Sequence, residues 1–223
     1  SNDEIEWVVD EFCKGNVLNE QMSSLLMAIV LNGMNYRETY ALTKAMQKSG
    51  KTYKFDFDVV DKHSTGGVSD STTLILTPIL ALAGLKVAKM SGKSLGTTGG
   101  TIDKLTCFNG YNYNIDEKTF KENIKKVGAS IIAQTDDIAL ADKKIYALRD
   151  KTATVKSIPL IASSIMSKKL ACGSKILLLD VKYGKGALME NVKDAEELAK
   201  TMVKIGNMNG TKTWAILTNM NTP

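Results

Sequence analysis

Two stretches of the chain interleave glycine with hydroxyl and cationic side chains directly after a short apolar run. Lys62-His63-Ser64-Thr65-Gly66-Gly67 follows Val59-Val60-Asp61, and Ser91-Gly92-Lys93-Ser94-Leu95-Gly96-Thr97-Thr98-Gly99-Gly100-Thr101 follows Lys86-Val87-Ala88-Lys89-Met90. Backbone N–H groups and hydroxyls that can approach closely are what a phosphate group needs, and Lys62, Ser64, Ser91 and Thr101 would supply them. Two tight βα turns would have the same composition. Neither stretch is G-x-x-x-x-G-K-[ST] or a clean G-x-G-x-x-G, so ATP and dinucleotide fingerprints are missing. His63, the single histidine, stands inside the first stretch, where an imidazole could exchange a proton or hydrogen-bond a ligand; a satisfied structural histidine is the plainer reading. Downstream, Tyr146-Ala147-Leu148-Arg149-Asp150 precedes Ser157-Ile158-Pro159 and Ala162-Ser163-Ser164-Ile165-Met166-Ser167-Lys168-Lys169. Ser164 and Lys168 are four apart, which places them on one helical face able to grip a planar polar group. The alternative is a solvent-facing helix start, with Pro159 in a turn and Ser163 or Ser164 near a cap.

Those residues need a frame. Ile5, Val8, Val9 and Phe12 recur at helical spacing, Asn19 is placed to cap a second helix, and Asn35 to cap a third that runs from about Glu38 to Ser49 before Gly50. Met22, Met27, Met34 and Met46 belong to the apolar stripes of these helices. Past Gly50 the texture changes to strand, glycine-rich loop and helix, twice in about forty residues, the pattern of parallel α/β units. Ala129–Ala133, Ile176–Val181 and Thr213–Thr218 read as further strands, and Asp194–Asn207 as an amphipathic helix.

Composition removes several classes. The chain has 223 residues, 43% hydrophobic and 24% charged, which is globular. No apolar run of about 18 residues occurs, so no membrane span is expected. The acidic opening lacks an apolar h-region, so no secretory signal is expected. Cys13, Cys107 and Cys172 are odd in number and far apart, which fits reduced thiols in a cytoplasmic protein. With one histidine, neither a multi-histidine metal centre nor a zinc site is available. The net charge, 29 − 24 = +5, falls on scattered lysines rather than an aromatic-laced basic stripe, so nucleic acid is not the expected partner.

Taken together, the motifs resemble a known family. Asp61-Lys-His-Ser-Thr-Gly-Gly-Val68 is similar to the first phosphate loop of the pyrimidine-nucleoside and thymidine phosphorylases, and Ser91 through Leu105 resembles their signature loop. Tyr146–Asp150 with Ile161–Lys169 resembles their base-binding segment, and Leu179–Ala187 a later turn. The resemblance implies a small all-helical lobe (residues 1–53) that makes a homodimer contact. A larger α/β lobe (54–223) would carry a mixed, mainly parallel sheet of the nucleoside phosphorylase/phosphoribosyltransferase type, with a return to the helical lobe near 142–170. It implies reversible phosphorolysis of uridine, thymidine or deoxyuridine to free base and (2-deoxy)ribose 1-phosphate. His63, Arg149 and Lys168 would be catalytic, with Ser164, Lys89 and Tyr146 at the base. Lys62, Ser64, Thr73, Ser91 and Thr101 would hold phosphate, the co-substrate. No cofactor would be required; Ser69 and Ser71 match a potassium-coordinating loop.

The sequence departs from the family pattern at Lys93 (usually arginine), Ser94 (glycine), Thr97 (histidine), Thr106 (glutamate) and Ser69 (glycine). A serine in a left-handed conformation at position 69 would cost roughly 1 kcal/mol. Family chains are longer, so a missing C-terminal part, including further sheet strands, is expected. Two other readings fit the residues: a truncated non-catalytic member that binds nucleoside, phosphate or a partner, and a related phosphoribosyltransferase.

Overall fold

The computed structural model describes residues 1–92 and 99–222. Three helices open the chain: α1 (Asn2–Lys14), α2 (Asn19–Asn32) and α3 (Tyr36–Lys48). Asn35 caps α3 as its position suggests, in a capping box with Glu38, and Ser1 does the same for α1 with Glu4. Asn19 is not a cap. It is the first helical residue of α2; Leu18 holds the cap position, and its N–H donates to the Gln21 side chain. Val9, Phe12, Met22, Leu26, Leu42 and Met46 bury one another in a single cluster, whereas Met27 lies on the exposed side of α2.

The strands are β1 (Val60–Ser64), β2 (Val87–Ser91), β3 (Ala129–Ala133), β4 (Ile176–Tyr183) and β5 (Lys212–Asn219). Among the described residues they form one sheet in the order β3-β2-β1-β4-β5. Each of these pairings is parallel, in line with the mainly parallel sheet expected, and no antiparallel strand joins it among the described residues. The helices α4 (Thr72–Leu82), α5 (Thr101–Leu105), α6 (Glu117–Val127) and α9 (Val192–Met208) connect the strands. From β1 the chain lays strands outward to one side, then returns to place β4 on the other side of β1. In an open parallel sheet, the crevice at such a reversal opens beyond the carboxyl ends of the strands.

Between β3 and β4 the chain makes its excursion through α7 (Leu140–Lys151) and α8 (Ile158–Ala171). Ala141, Ile145 and Leu160 join the core of α1–α3, while Ile161, Ala162, Met166 and Leu170 pack with β4 and α9. This shared burial explains why α8 is apolar on nearly every side. The passages between lobes touch one another: the N–H of Lys51 donates to Asp137 O at 2.7 Å and that of Tyr53 to Ala171 O at 2.8 Å. A β-carbon on Gly50 would collide with the Asp137 carbonyl, and one on Gly173 with the Tyr53 carbonyl. Among the described residues no helix is long and apolar enough to cross a membrane.

Candidate active site

The carboxyl ends of the strands open into a cleft of about 990 Å³. One wall carries His63 and Ser64 from the end of β1 with Gly66 just beyond it, Ser91 from the end of β2 with Gly92 after it, and Gly99 and Gly100 ahead of α5. The facing wall carries Asp142, Tyr146 and Arg149 from α7 with Ser164, Ile165 and Lys168 from α8. Gln134–Asp136 and Lys185–Leu188 close the sides. The volume accommodates a nucleoside and a phosphate together.

The sequence places His63 in a loop; in the structure β1 runs on through it, paired in register with Leu179. A strand fixes its side chain more firmly than a loop would. Its Nε2 is buried with no hydrogen-bond partner among the described residues. Burial, followed by the charges of Lys169, Lys89, Lys168 and Lys62, holds the imidazole well below its ordinary pKa. At neutral pH it is therefore uncharged, able to donate or accept one hydrogen bond at each nitrogen but not to act as a cation.

Opposite, the Lys168 ammonium donates to Asp142 Oδ2 at 2.7 Å and to Ser164 Oγ at 3.4 Å. Arg149 is 1% exposed. Its Nε, Nη1 and Nη2 donate to the carbonyls of Thr154 (3.1 Å), Leu160 (3.1 Å) and Val155 (2.8 Å). The guanidinium thus staples the α7–α8 turn, and its N–H groups not so used are what remains for a ligand. Burial lowers its pKa, with Asp142 acting the other way, and from so high a starting value it stays charged. The Tyr146 ring lies 5.7 Å from both Arg149 Cζ and Lys168 Nζ.

Several expected residues sit elsewhere. Lys62 is buried, with its ammonium 2.8 Å from Asp180. Lys89 is 2% exposed; it donates to the Lys62 carbonyl at 2.6 Å and lies 3.4 Å from Asp61. Thr73 is buried within α4, and Thr101 opens α5 immediately after Gly99 and Gly100. None of these four is among the described residues that line the cleft. Ser69 and Ser71 lie in the β1–α4 turn, where the Ser71 hydroxyl donates to the Ser69 carbonyl at 3.3 Å. Two neutral oxygens there suit a potassium ion but make up only part of the coordination a hard cation takes. Ser69 has φ 60°, the left-handed conformation in which glycine is free of strain. Lys93, Ser94 and Thr97 lie outside the described residues.

The structure adds residues not singled out from the sequence. Lys169 on α8 reaches Asp61 Oδ2 and the Met90 carbonyl, both at 2.9 Å, and Lys182 on β4 pairs with Asp180 at 2.9 Å. Burial pushes Lys89 down to about 7; Asp61 opposes the shift, while Lys169 and Lys62 add to it. Burial alone would raise the Asp70 carboxyl, but hydrogen bonds from Ser64 and Thr72 and the Lys62 charge bring it to about 2. Four buried lysines thus meet the carboxylates of Asp61, Asp180 and Asp70 in one buried ionic network beside the cleft. Asp142 had a signal in the sequence: Asp142, Tyr146 and Arg149 are spaced four and three apart, a polar stripe along α7.

A family model described as "Glycosyl transferase family, a/b domain" matches residues 56–223, and one described as "Glycosyl transferase family, helical bundle domain" matches residues 1–50. The chain belongs to this glycosyl transferase family. Within it, a pyrimidine-nucleoside phosphorylase from Geobacillus stearothermophilus is 50% identical over a 226-residue alignment, covering all of this chain and 52% of that protein. Another, from Staphylococcus aureus (strain bovine RF122 / ET3-1), is 51% identical over 227 aligned residues, again 52% of its length. The chain spans about half the length of the curated relatives it matches. Among solved structures, an anthranilate phosphoribosyltransferase (TrpD) from Thermus thermophilus superposes with a TM-score of 0.72. That match covers 92% of this chain and 60% of the other at 17% sequence identity, and so bears on the fold alone.

Proposed function

We propose that this glycosyl transferase chain serves the reversible phosphorolysis of pyrimidine nucleosides, uridine, thymidine or deoxyuridine, to free base and (2-deoxy)ribose 1-phosphate. The observation that carries the reading is the pairing of walls. Glycine and hydroxyl groups face Tyr146, Arg149, Ser164 and Lys168 across one cleft.

Phosphate binds between Ser64 and Ser91 at the ends of β1 and β2, with Lys62, Lys89, Lys169 and Lys182, Thr73 and Thr101 around that end of the cleft. The base binds at the opposite wall. As the glycosidic bond breaks, positive charge grows on the sugar and negative charge on the pyrimidine. Phosphate attacks the anomeric carbon from one side, while Lys168 and the remaining N–H groups of Arg149 stabilise the departing base from the other. Neutral His63 donates a hydrogen bond to a base carbonyl oxygen. Holding two substrates in line supplies much of the acceleration. Closure of the helical lobe on the sheet excludes water, so phosphate outcompetes hydrolysis.

A potassium ion held in part by Ser69 and Ser71 would stiffen the β1–α4 turn. The exposed Trp7, Leu25 and Leu31 on α1 and α2 support a homodimer through the helical lobe, and the three free cysteines fit a cytoplasmic setting.

The test is release of uracil or thymine from uridine and thymidine, followed by absorbance with and without phosphate, and with a His63→Ala control. Release that requires phosphate and falls about a hundredfold in the variant supports the reading. Release without phosphate, or none at all from a chain that still binds uracil, overturns it in favour of a nucleosidase or a binding protein.

A further inference from the structure

We propose that Asp142 is a positioning residue for the base-binding wall, acting as the counter-ion that fixes Lys168. This deepens the reading above and rests on it. Asp142 is 2% exposed and stands in the first turn of α7, where the free N–H groups of a helix start favour a carboxylate. Its Oδ2 takes the Lys168 ammonium at 2.7 Å. Its Oδ1 is buried with no hydrogen-bond partner among the described residues, so the negative charge is spent on Lys168 rather than shared with other donors.

An unpaired lysine at the mouth of a cleft swings on a four-carbon stem. Held by Asp142, the ammonium has a fixed origin. Of its three N–H donors, one goes to Asp142 and one to Ser164 Oγ. The third is left for a carbonyl oxygen in the cleft. Ser164 and Lys168 belong to α8 while Asp142 belongs to α7, so the pair also ties the two helices of that wall together. Phosphate, held by the loops on the other wall, has no such dependence.

Calorimetry with uracil and with inorganic phosphate, on D142N, K168Q and the double variant, separates positioning from a structural role. D142N is expected to weaken uracil about tenfold and to leave phosphate affinity within about twofold. In the K168Q background the same change should have no further effect, because its action runs through Lys168. Acetic anhydride labelling read by mass spectrometry should acylate Lys168 several-fold faster in D142N than in the parent chain. Equal losses of uracil and phosphate, a full loss persisting in the K168Q background, or unchanged acylation of Lys168 would each overturn the proposal. A parent chain that binds no uracil sinks the pyrimidine reading instead, and the labelling still decides the ion pair. Should D142N fail to fold, D142E moves the carboxylate by one methylene, and uracil affinity must fall while phosphate affinity holds.

Discussion

His63 and Lys89 carry depressed pKa values for the same main reason, burial of a cation among other cations, and they act in different pH windows. An unfolded histidine takes up its proton near pH 6.5; folded His63 does so only well below that. Stability therefore falls as pH drops below about 6.5, because the unfolded chain binds the proton that the folded one refuses. Lys89 titrates at about 7 in the folded protein, against about 10.4 when unfolded. Between these values the unfolded state again holds more protons, so stability rises with pH across that interval. Urea unfolding from pH 5 to pH 10 should show both slopes. His63→Gln should flatten the acidic one alone, while Lys89→Met should remove the alkaline one and ease the acidic one slightly, since Lys89 helps to depress His63; an alkaline slope that survives Lys89→Met would show that another group carries it. The sequence made His63 visible as the single histidine beside a glycine-rich loop. Its neutrality was not legible, because three of the four lysines that enforce it lie elsewhere in the chain. Nor can a lysine destined for the interior be told from a solvated one by local sequence.

At the scale of elements, α8 packs on the sheet through apolar side chains and is tied to it by a buried polar contact as well. Lys169 joins Asp61 on β1 to the Met90 carbonyl on β2, and that fixes the rotation that presents Ser164 and Lys168 to the cleft. Breaking a buried pair from one side leaves a stranded charge and costs about 3–5 kcal/mol. Asp61→Asn strands both Lys169 and Lys89, whereas Lys169→Met leaves Asp61 with Lys89 at 3.4 Å. Asp61→Asn should therefore be the more destabilising of the two by urea titration, and the reverse order would mean that Lys89 is already neutral enough not to matter. At the β1–α4 turn, Ser69→Gly should raise stability by roughly 1 kcal/mol by relieving the left-handed serine; no gain would place the strain elsewhere in the turn. The periodicities gave most element boundaries to within a few residues, since amphipathic stripes and β-branched runs are local signals. They missed the strand continuing through His63, because glycine and hydroxyl residues follow it so closely.

The whole molecule is two walls on different supports. The phosphate wall is the rim of the parallel sheet; the base wall is α7, which shares a core with α1–α3, and α8, which is divided between that core and the sheet. Their relation passes through the crossing segments, where Gly50 lies against Asp137–Ala139 and Gly173 against Tyr53. A methyl group on Gly50 must push the start of α7, and with it Asp142, Tyr146 and Arg149, while the strand ends that carry His63, Ser64 and Ser91 stay where the sheet holds them. Gly50→Ala should thus weaken uracil several-fold more than inorganic phosphate, as read by calorimetry on the folded variant. A change confined to the phosphate rim, such as Ser91→Ala, should do the opposite. Equal losses for both ligands in Gly50→Ala would mean that the two walls move as one body, and lobe closure would then have to be placed at another crossing, with Gly173 the next to test. Such a dependence is invisible in a linear sequence, where Gly50 reads only as a helix stop, because the close approach that demands glycine comes from a segment nearly ninety residues away.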